Sequence, residues 1–357
     1  MEPSPRFISA LRGLLSRGGS QQESHHWRSF NDIKRSLSWD DLRAFRSGQT
    51  SGRLSRGLDD PASRRRTQLV VDHCWETPAL GRRIDLLLEP SDAAVGRPPY
   101  SQCELPDGST REINYNDIML AYIAVRVAKM CELTDLSPRH ILEIGGGYGG
   151  LAHKLALTYP AATFTVIDLP EALALQAYFL ASHHGEERLA LHYADARTHE
   201  SGDARFHLVC AGTRPMRQHF DLVINTRSFM EMTRAQLQQY FALIQSTMPP
   251  GGLLYNLNRY LKTSNGSRNA IGRYPYDSHW RIVSVMPSVL QPQLLELVTA
   301  RSSIANKYFQ PFLRTIPRNN HWWQPSLRNV IDSRVPYVDR WFYRDVPRLL
   351  SRLRRRG

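Results

Sequence analysis

Residues 141–150 read ILEIGGGYGG, with five glycines in six positions between an apolar run and LAHKLALTYP. The pattern predicts a strand, a tight turn and the start of a helix. A turn of that kind presents backbone N–H groups and a helix N-terminus to a ligand. Gly145, Gly147 and Gly150 satisfy G-x-G-x-x-G, a weak signal by itself. Glu143, Gly145, Gly147 and Gly149 also satisfy E-x-G-x-G-x-G, and the acid two residues before the first glycine is the informative feature. A carboxylate beside the loop suits a cation and is poorly placed beside a pyrophosphate. S-adenosylmethionine carries an α-ammonium and a sulfonium and no pyrophosphate. The next strand, TFTVID, ends in Asp168, 21 residues beyond Gly147. An acid there accepts from both ribose hydroxyls, which NAD and S-adenosylmethionine share. Asp168 therefore points to a nucleoside cofactor, and Glu143 selects S-adenosylmethionine over NAD. The bland alternative is a plain strand–helix turn with two surface acids.

These residues need a scaffold, and the alternation around them supplies one. HILEIG, TFTVID, FHLVCA, FDLVIN and GGLLYNLN read as strands. YGGLAHKLALTYP, PEALALQAYFLASHH and TRAQLQQYFALIQSTM read as helices between them. The expected fold is α/β, a doubly wound, mostly parallel sheet of Rossmann-like type with a helical N-terminal extension. Four regions follow: a basic arm at 1–66, a helical lead-in at 67–135, the cofactor-binding catalytic domain at 136–300, and an aromatic, basic extension at 301–357. The arm is rich in Ser, Gly and Arg and reads as largely disordered. Within it, Phe7, Ile8, Leu11, Leu14 and Leu15 stand at helical spacing, which fits a fraying helix or an interfacial one. In the lead-in, NYNDIMLAYIAVRVAKMCEL predicts a helix capped at Asn114 or Asn116.

Composition narrows the class. No apolar run reaches the length of a membrane span, and the first twenty residues lack the pattern of a secretory signal. The four cysteines fit neither a zinc cluster nor a disulfide framework, so a cytoplasmic protein with reduced thiols is expected. The net charge is +13, of which 1–66 carry +6 and 338–357 carry +5. The basicity thus lies in the tails, which can meet anionic lipid at a membrane periphery or remain solvated. The nearly neutral middle argues against a nucleic-acid groove. Oligomeric state leaves no mark on the sequence.

With these motifs on the page, LEIGGGYGGLAHKLALTYP, VIDLPEALALQAYFL, FDLVINTRSFMEM and LLYNLNRY resemble the sugar O-methyltransferases. Those are class I S-adenosylmethionine-dependent enzymes of bacterial glycan and secondary-metabolite pathways. The resemblance spans about 112–285, and its most specific parts are IDLPEAL with the following Gln176, and INT-SF-EM. It implies a sugar or glycan hydroxyl as acceptor. It also implies that Glu143, Gly145, Gly147 and Gly149 line the methionine and ribose, that Asp168 binds the ribose, and that Leu169 packs near the adenine. The residue after the third strand should complete the adenine pocket. That residue is either Asp195 in HYADA or one of 211–213, because two short strand-like segments precede FDLVIN.

Methyl transfer from a sulfonium is an in-line displacement in which positioning does much of the work. A sugar hydroxyl needs a general base within hydrogen-bond reach. Glu231, in the loop after the fourth strand, is the first candidate, and its alternative role is to cap the helix near Thr233. His279, with Asp277 nearby, is the second, and its alternative is a loop histidine beside Trp280. Asn225 and Arg227 can hold the acceptor or the cofactor carboxylate. Asn258 and Arg259 face the same mouth, and an arginine suits a phosphate on a nucleotide-linked or lipid-linked sugar. No pair of acids has the spacing of a magnesium site, so no metal is expected. The rivals are a nucleic-acid methyltransferase, an NAD-linked oxidoreductase and a cofactor-binding pseudo-enzyme.

Overall fold

The computed structural model describes residues 4–16, 39–47, 61–192, 197–199, 203–213, 215, 219–264, 267–289, 291 and 293–316. The chain begins with helices α1 (Pro5–Ser16), α2 (Trp39–Arg43), α3 (Pro61–Cys74) and α4 (Pro78–Asp85). A hairpin of β1 (Ser101–Glu104) and β2 (Thr110–Ile113) precedes the long helix α5 (Tyr115–Leu133). The central region then alternates: β3 (His140–Ile144), α6 (Gly150–Thr158), β4 (Thr163–Asp168), α7 (Pro170–His184), β5 (Leu189–His192), β6 (Arg197–His199) and β7 (Phe206–Cys210). It continues through β8 (Leu222–Thr226), α8 (Arg234–Thr247) and β9 (Leu253–Arg259). A second hairpin, β10 (Leu261–Ser264) and β11 (Ser267–Ala270), follows. Then come β12 (Trp280–Pro287), β13 (Leu294–Arg301) and α9 (Phe309–Thr315).

Nine strands form one sheet in the order β12-β13-β9-β8-β3-β4-β7-β5-β6. β9, β8, β3, β4, β7 and β5 are parallel, and β13 and β6 run against them. The expectation of a doubly wound, mostly parallel sheet holds. The reason is visible in β3, where Ile141, Leu142, Glu143 and Ile144 are all buried. A strand covered on both faces reads as a continuous buried run, the mark of a parallel sheet. One face packs against α1, α3, α5, α6 and α7, with Ile141, Phe164, Leu208 and Tyr255 in that core. The other carries Leu142, Ile144, Val223 and Leu254 against α8 and α9.

Two features depart from the sequence reading. Parts of the arm are packed rather than loose. Phe7, Leu11 and Leu14 of α1 are buried in the first core, each contributing about 2 kcal/mol, and Ser4 bonds Glu186 through its N–H and its hydroxyl, both at 2.6 Å. The apolar stripe of α1 therefore faces protein. The lead-in contains the β1–β2 hairpin besides its helices. The helix over 115–133 is capped by Asn114, whose side chain accepts from Asp117 N at 3.0 Å. The arm beyond 4–16, 39–47 and 61–66, and the extension beyond 316, lie outside the described residues.

Candidate active site

The glycine turn joins β3 to α6 at the carboxyl edge of the sheet. Gly145, Gly147 and Gly149 all have positive φ, at 77°, 65° and 92°, a conformation that disfavours other residues. Gly145 has a second constraint, because a Cβ there would collide with the Ser228 side chain. The turn is thus pressed against the loop after β8. At Gly147 a Cβ would meet nothing within 4 Å, so this part of the turn borders open space.

Asp168 closes β4 and is oriented by its neighbours. Its Oδ2 accepts from Gly147 N at 3.2 Å and Gln176 Nε2 at 2.9 Å, and its Oδ1 accepts from Leu169 N at 2.8 Å. Gln176 also donates to Gly147 O at 3.1 Å. The sequence set Gln176 beside IDLPEAL, and the fold makes it the clasp between turn and Asp168. Leu169 is the N-terminal cap of α7.

Glu143 is 2% exposed, and its Oε2 has no hydrogen-bond partner. Burial, and secondarily the Asp168 charge, push its carboxyl up to about 8. An ionised carboxylate so placed lacks a counter-charge. S-adenosylmethionine fits this set: a cation for Glu143, two ribose hydroxyls for Asp168, and backbone approach at Gly147. A pyrophosphate would add negative charge beside two acids and does not fit.

The third strand is settled by register. β7 lies directly beside β4, with Asp168 opposite Cys210, and β5 lies outside β7. Residues 211–213 therefore follow the strand neighbouring β4, and Ala211 N donates to Asp168 O at 2.8 Å. Asp195 lies outside the described residues.

The acceptor-side candidates divide. Glu231 ends a short 3-10 turn, Phe229–Glu231, and pairs with Lys262 of the β10–β11 hairpin. Both side chains are largely buried. Glu231 does not cap α8, since Thr233 does so in a reciprocal capping box with Gln236. Arg227 follows β8 with φ 64°. A non-glycine residue in that region costs about 1–3 kcal/mol, and such residues cluster at functional sites. Arg259 is the exposed last residue of β9.

The two asparagines are engaged. Asn225 Nδ2 donates to Ile144 O at 2.8 Å, and its Oδ1 accepts from Phe229 N at 3.0 Å and Asn258 Nδ2 at 2.7 Å. Asn258 lies within β9, donates to Asn256 Oδ1 at 2.6 Å and accepts from Met230 N at 3.1 Å. This fully buried ladder holds the loop 225–231 in place, and the amides it uses are not presented to a ligand. Alternation of N-L-N in an otherwise apolar strand was the signal for Asn256.

His279 is placed at the other end of the sheet. It precedes Trp280, which pairs with Arg301, and the neighbouring Ala300 pairs with Leu253 at the start of β9. Thr226 is level with Leu257, so His279, two residues beyond the level of Leu253, lies roughly 20 Å away along the strand direction. The β13 reversal carries it to the amino edge, and it does not meet the glycine turn. Asp277 is paired with Arg301 at 2.5 Å. His153 is buried and bonds His184 at 3.0 Å, while His183 bonds Glu89 at 3.1 Å, so the three histidines form a packed cluster.

Sequence reasoning missed Lys262 and Ser228. Lys262 is one of five lysines against 41 arginines, a scarcity that could have drawn attention. Among the described residues, no group of three or more His, Cys, Asp or Glu stands where it could hold a metal ion.

The sheet order and the glycine turn define a Rossmann-like α/β fold. Residues 89–206 match the O-methyltransferase domain family. Over 140 residues the chain is 32% identical to the malonyl-[acyl-carrier protein] O-methyltransferase of Geobacter sulfurreducens, covering 37% of this chain and 45% of that protein. The chain thus spans less than half the length of that relative. Among solved structures, human N-acetylserotonin methyltransferase with S-adenosylmethionine is 14% identical, at TM-score 0.35, over 52% of this chain and 53% of that one. The N-methyltransferase NodS of Bradyrhizobium japonicum with S-adenosylhomocysteine is 16% identical, at TM-score 0.35, over 51% and 86%. Likenesses of that depth say nothing about the reaction.

Proposed function

We propose that the chain is an S-adenosylmethionine-dependent O-methyltransferase whose acceptor is a sugar hydroxyl. The observation that carries the cofactor half is the buried, unpaired Glu143 beside the open turn at Gly147. The family match over 89–206 supports the transfer to oxygen, and the INT-SF-EM and IDLPEAL motifs support the sugar. When bound, the cofactor supplies a methyl group already activated on a sulfonium.

The chain's own residues do the rest. Glu143 neutralises cationic charge, Asp168 fixes the ribose, and 211–213 border the adenine. Glu231 receives the acceptor's hydroxyl proton. Lys262 aims Glu231, because an ion pair restricts the carboxylate's rotamer. The β10–β11 hairpin holds the loop from above, with Asn269 Nδ2 donating to Met232 O at 2.6 Å. Arg227 and Arg259 flank the mouth and suit a phosphate on the acceptor.

The curated relative's acceptor suggests a second reading, an acyl carboxylate. A carboxylate carries no proton to remove, so the base decides between them. Calorimetry with S-adenosylhomocysteine and with NAD comes first, on wild type and Asp168→Ala. Binding of the homocysteine nucleoside alone, weakened in the variant, supports the cofactor assignment, and its absence from folded protein removes it. An acceptor screen over nucleotide sugars, free sugars and malonyl thioesters follows, on wild type and Glu231→Gln. Sugar turnover lost with Glu231→Gln supports the proposal. Thioester turnover indifferent to that change replaces it. Cofactor binding with no turnover on either class leaves a cofactor-binding scaffold.

A further inference from the structure

Helix α9 has two apolar faces and only one is covered. Phe309 and Leu313 are 1% and 0% exposed in the second core. Tyr308 and Phe312, one turn apart on the other side, are 69% and 42% exposed, and Ile304, just before them, is 76% exposed. A helix turn with large apolar groups in water needs a partner.

The charge around it says which kind. Lys307, two residues before the helix, and Arg314 within it are exposed, and Lys307 Nζ stands 5.0 Å from the Tyr308 ring. Exposed Arg273 lies on the neighbouring turn 271–273, where a Cβ on Gly272 would meet Leu313 O. No acidic residue occurs from 297 to 331, a stretch that includes Arg301, Lys307, Arg314, Arg318 and Arg328. Residues 332–357 add eight arginines against three aspartates, and Trp322, Trp323 and Trp341 lie in the same tail. Apolar and aromatic side chains ringed by Lys and Arg suit the interface of an anionic bilayer, where the rings sit at headgroup depth and the cations meet phosphate. A nucleic-acid partner would use the cations and leave Ile304 and Phe312 without a role.

We propose that the face of Ile304, Tyr308 and Phe312, with Lys307, Arg314 and Arg273 around it, docks on an anionic lipid surface. The proposal stands apart from the reaction assigned above. Placement gives it a consequence. Asn306 is tied to Ser278 O at 2.7 Å and Trp280 O at 3.2 Å, at the amino edge of the sheet. The glycine turn lies at the carboxyl edge, so a docked molecule turns its site away from the lipid.

The test is co-sedimentation of the full chain with vesicles of equal parts phosphatidylglycerol and phosphatidylcholine, and with phosphatidylcholine alone. Binding is expected to the first and not the second. The exposed-face variant Tyr308→Ser/Phe312→Ser, folded by circular dichroism, should lose about tenfold in partitioning, and Lys307→Glu/Arg314→Glu at least as much. No sedimentation of the wild type with anionic vesicles overturns the proposal. So does a Tyr308→Ser/Phe312→Ser variant that binds as wild type, because then the basic tail acts alone and this face is not the anchor. Displacement by duplex DNA together with an indifferent apolar variant would assign the surface to nucleic acid instead.

Discussion

Two buried glutamates sit on the same side of the molecule and meet opposite fates. Glu89, between the arm and α7, pairs with fully buried Arg46, accepts from Val95 N at 2.9 Å and meets His183 at 3.1 Å. Burial alone would raise its pKa, but the His183 hydrogen bond and the Arg46 charge outweigh it and hold the carboxyl at about 2. Glu143, at the end of β3, is equally buried, lacks a partner at Oε2 and is pushed up to about 8. The Glu89 carboxylate is met by charge within the chain, although Arg46 Nε and Nη2 find no hydrogen-bond acceptor among the described residues, whereas Glu143 has a charge deficit that a ligand can fill. The contrast separates an acid satisfied within the chain from one that is not more sharply than residue type or burial does.

The largest effect expected from breaking this comparison is at Glu89. Removing the cation with Arg46→Met strands a buried carboxylate, which costs about 3–5 kcal/mol. Urea unfolding should show it, and a loss below about 1 kcal/mol would mean that His183 alone satisfies Glu89. Next comes Asp168→Ala, which removes the acceptor aimed by Gly147 and Gln176. S-adenosylhomocysteine affinity should fall about 100-fold, equivalent to about 3 kcal/mol, while the melting curve moves little. Unchanged affinity would detach Asp168 from the ribose.

The third prediction concerns pH. A cation bound beside Glu143 requires its ionised form, and the unliganded carboxyl titrates near 8. Affinity for S-adenosylhomocysteine should rise from pH 6 to pH 8, at most tenfold per unit, and Glu143→Gln should flatten the rise. A flat wild-type profile would mean that Glu143 does not face the ligand's charge. The fourth prediction concerns unliganded stability. The folded Glu143 pKa lies above its unfolded value, so the folded state holds the extra proton between roughly 4.5 and 8. Stability therefore declines as pH rises through that window, and Glu143→Gln should remove the decline. Glu89 behaves oppositely. Its folded pKa is depressed, so its contribution is full above about 4.5 and is lost as pH falls toward 2. Paired denaturation curves of Glu143→Gln and Glu89→Gln across pH would separate the two limbs, and identical profiles would erase the distinction drawn here.

Much of the cofactor side was legible beforehand, because it is built from neighbours in sequence. A strand run, three glycines at positive φ and an acid ending the next strand are local patterns, and parallel pairing brings consecutive β–α units together. The acceptor side was less legible. Nothing in RYPYDSHW reveals that β13 reverses direction and leaves His279 at the amino edge. The amides of Asn225 and Asn258 look available in a one-dimensional reading and are consumed by a ladder between adjacent strands. Lys262 reaches Glu231 because the β10–β11 hairpin folds back over the loop.

The sequence by itself determined the α/β alternation, the glycine turn, and the placement of Glu143 and Asp168 at the ends of the first two strands of that unit. Each follows from periodicity and backbone sterics within some thirty residues. Tertiary structure alone decided that β7 rather than β5 neighbours β4, that Arg46 neutralises Glu89 while Glu143 Oε2 has no partner among the described residues, and that one face of α9 is left bare. Those outcomes depend on which surfaces and charges meet across long separations. Desolvation then makes such meetings decisive, since a buried carboxylate with a partner and one without it differ by several pKa units while looking alike in the chain.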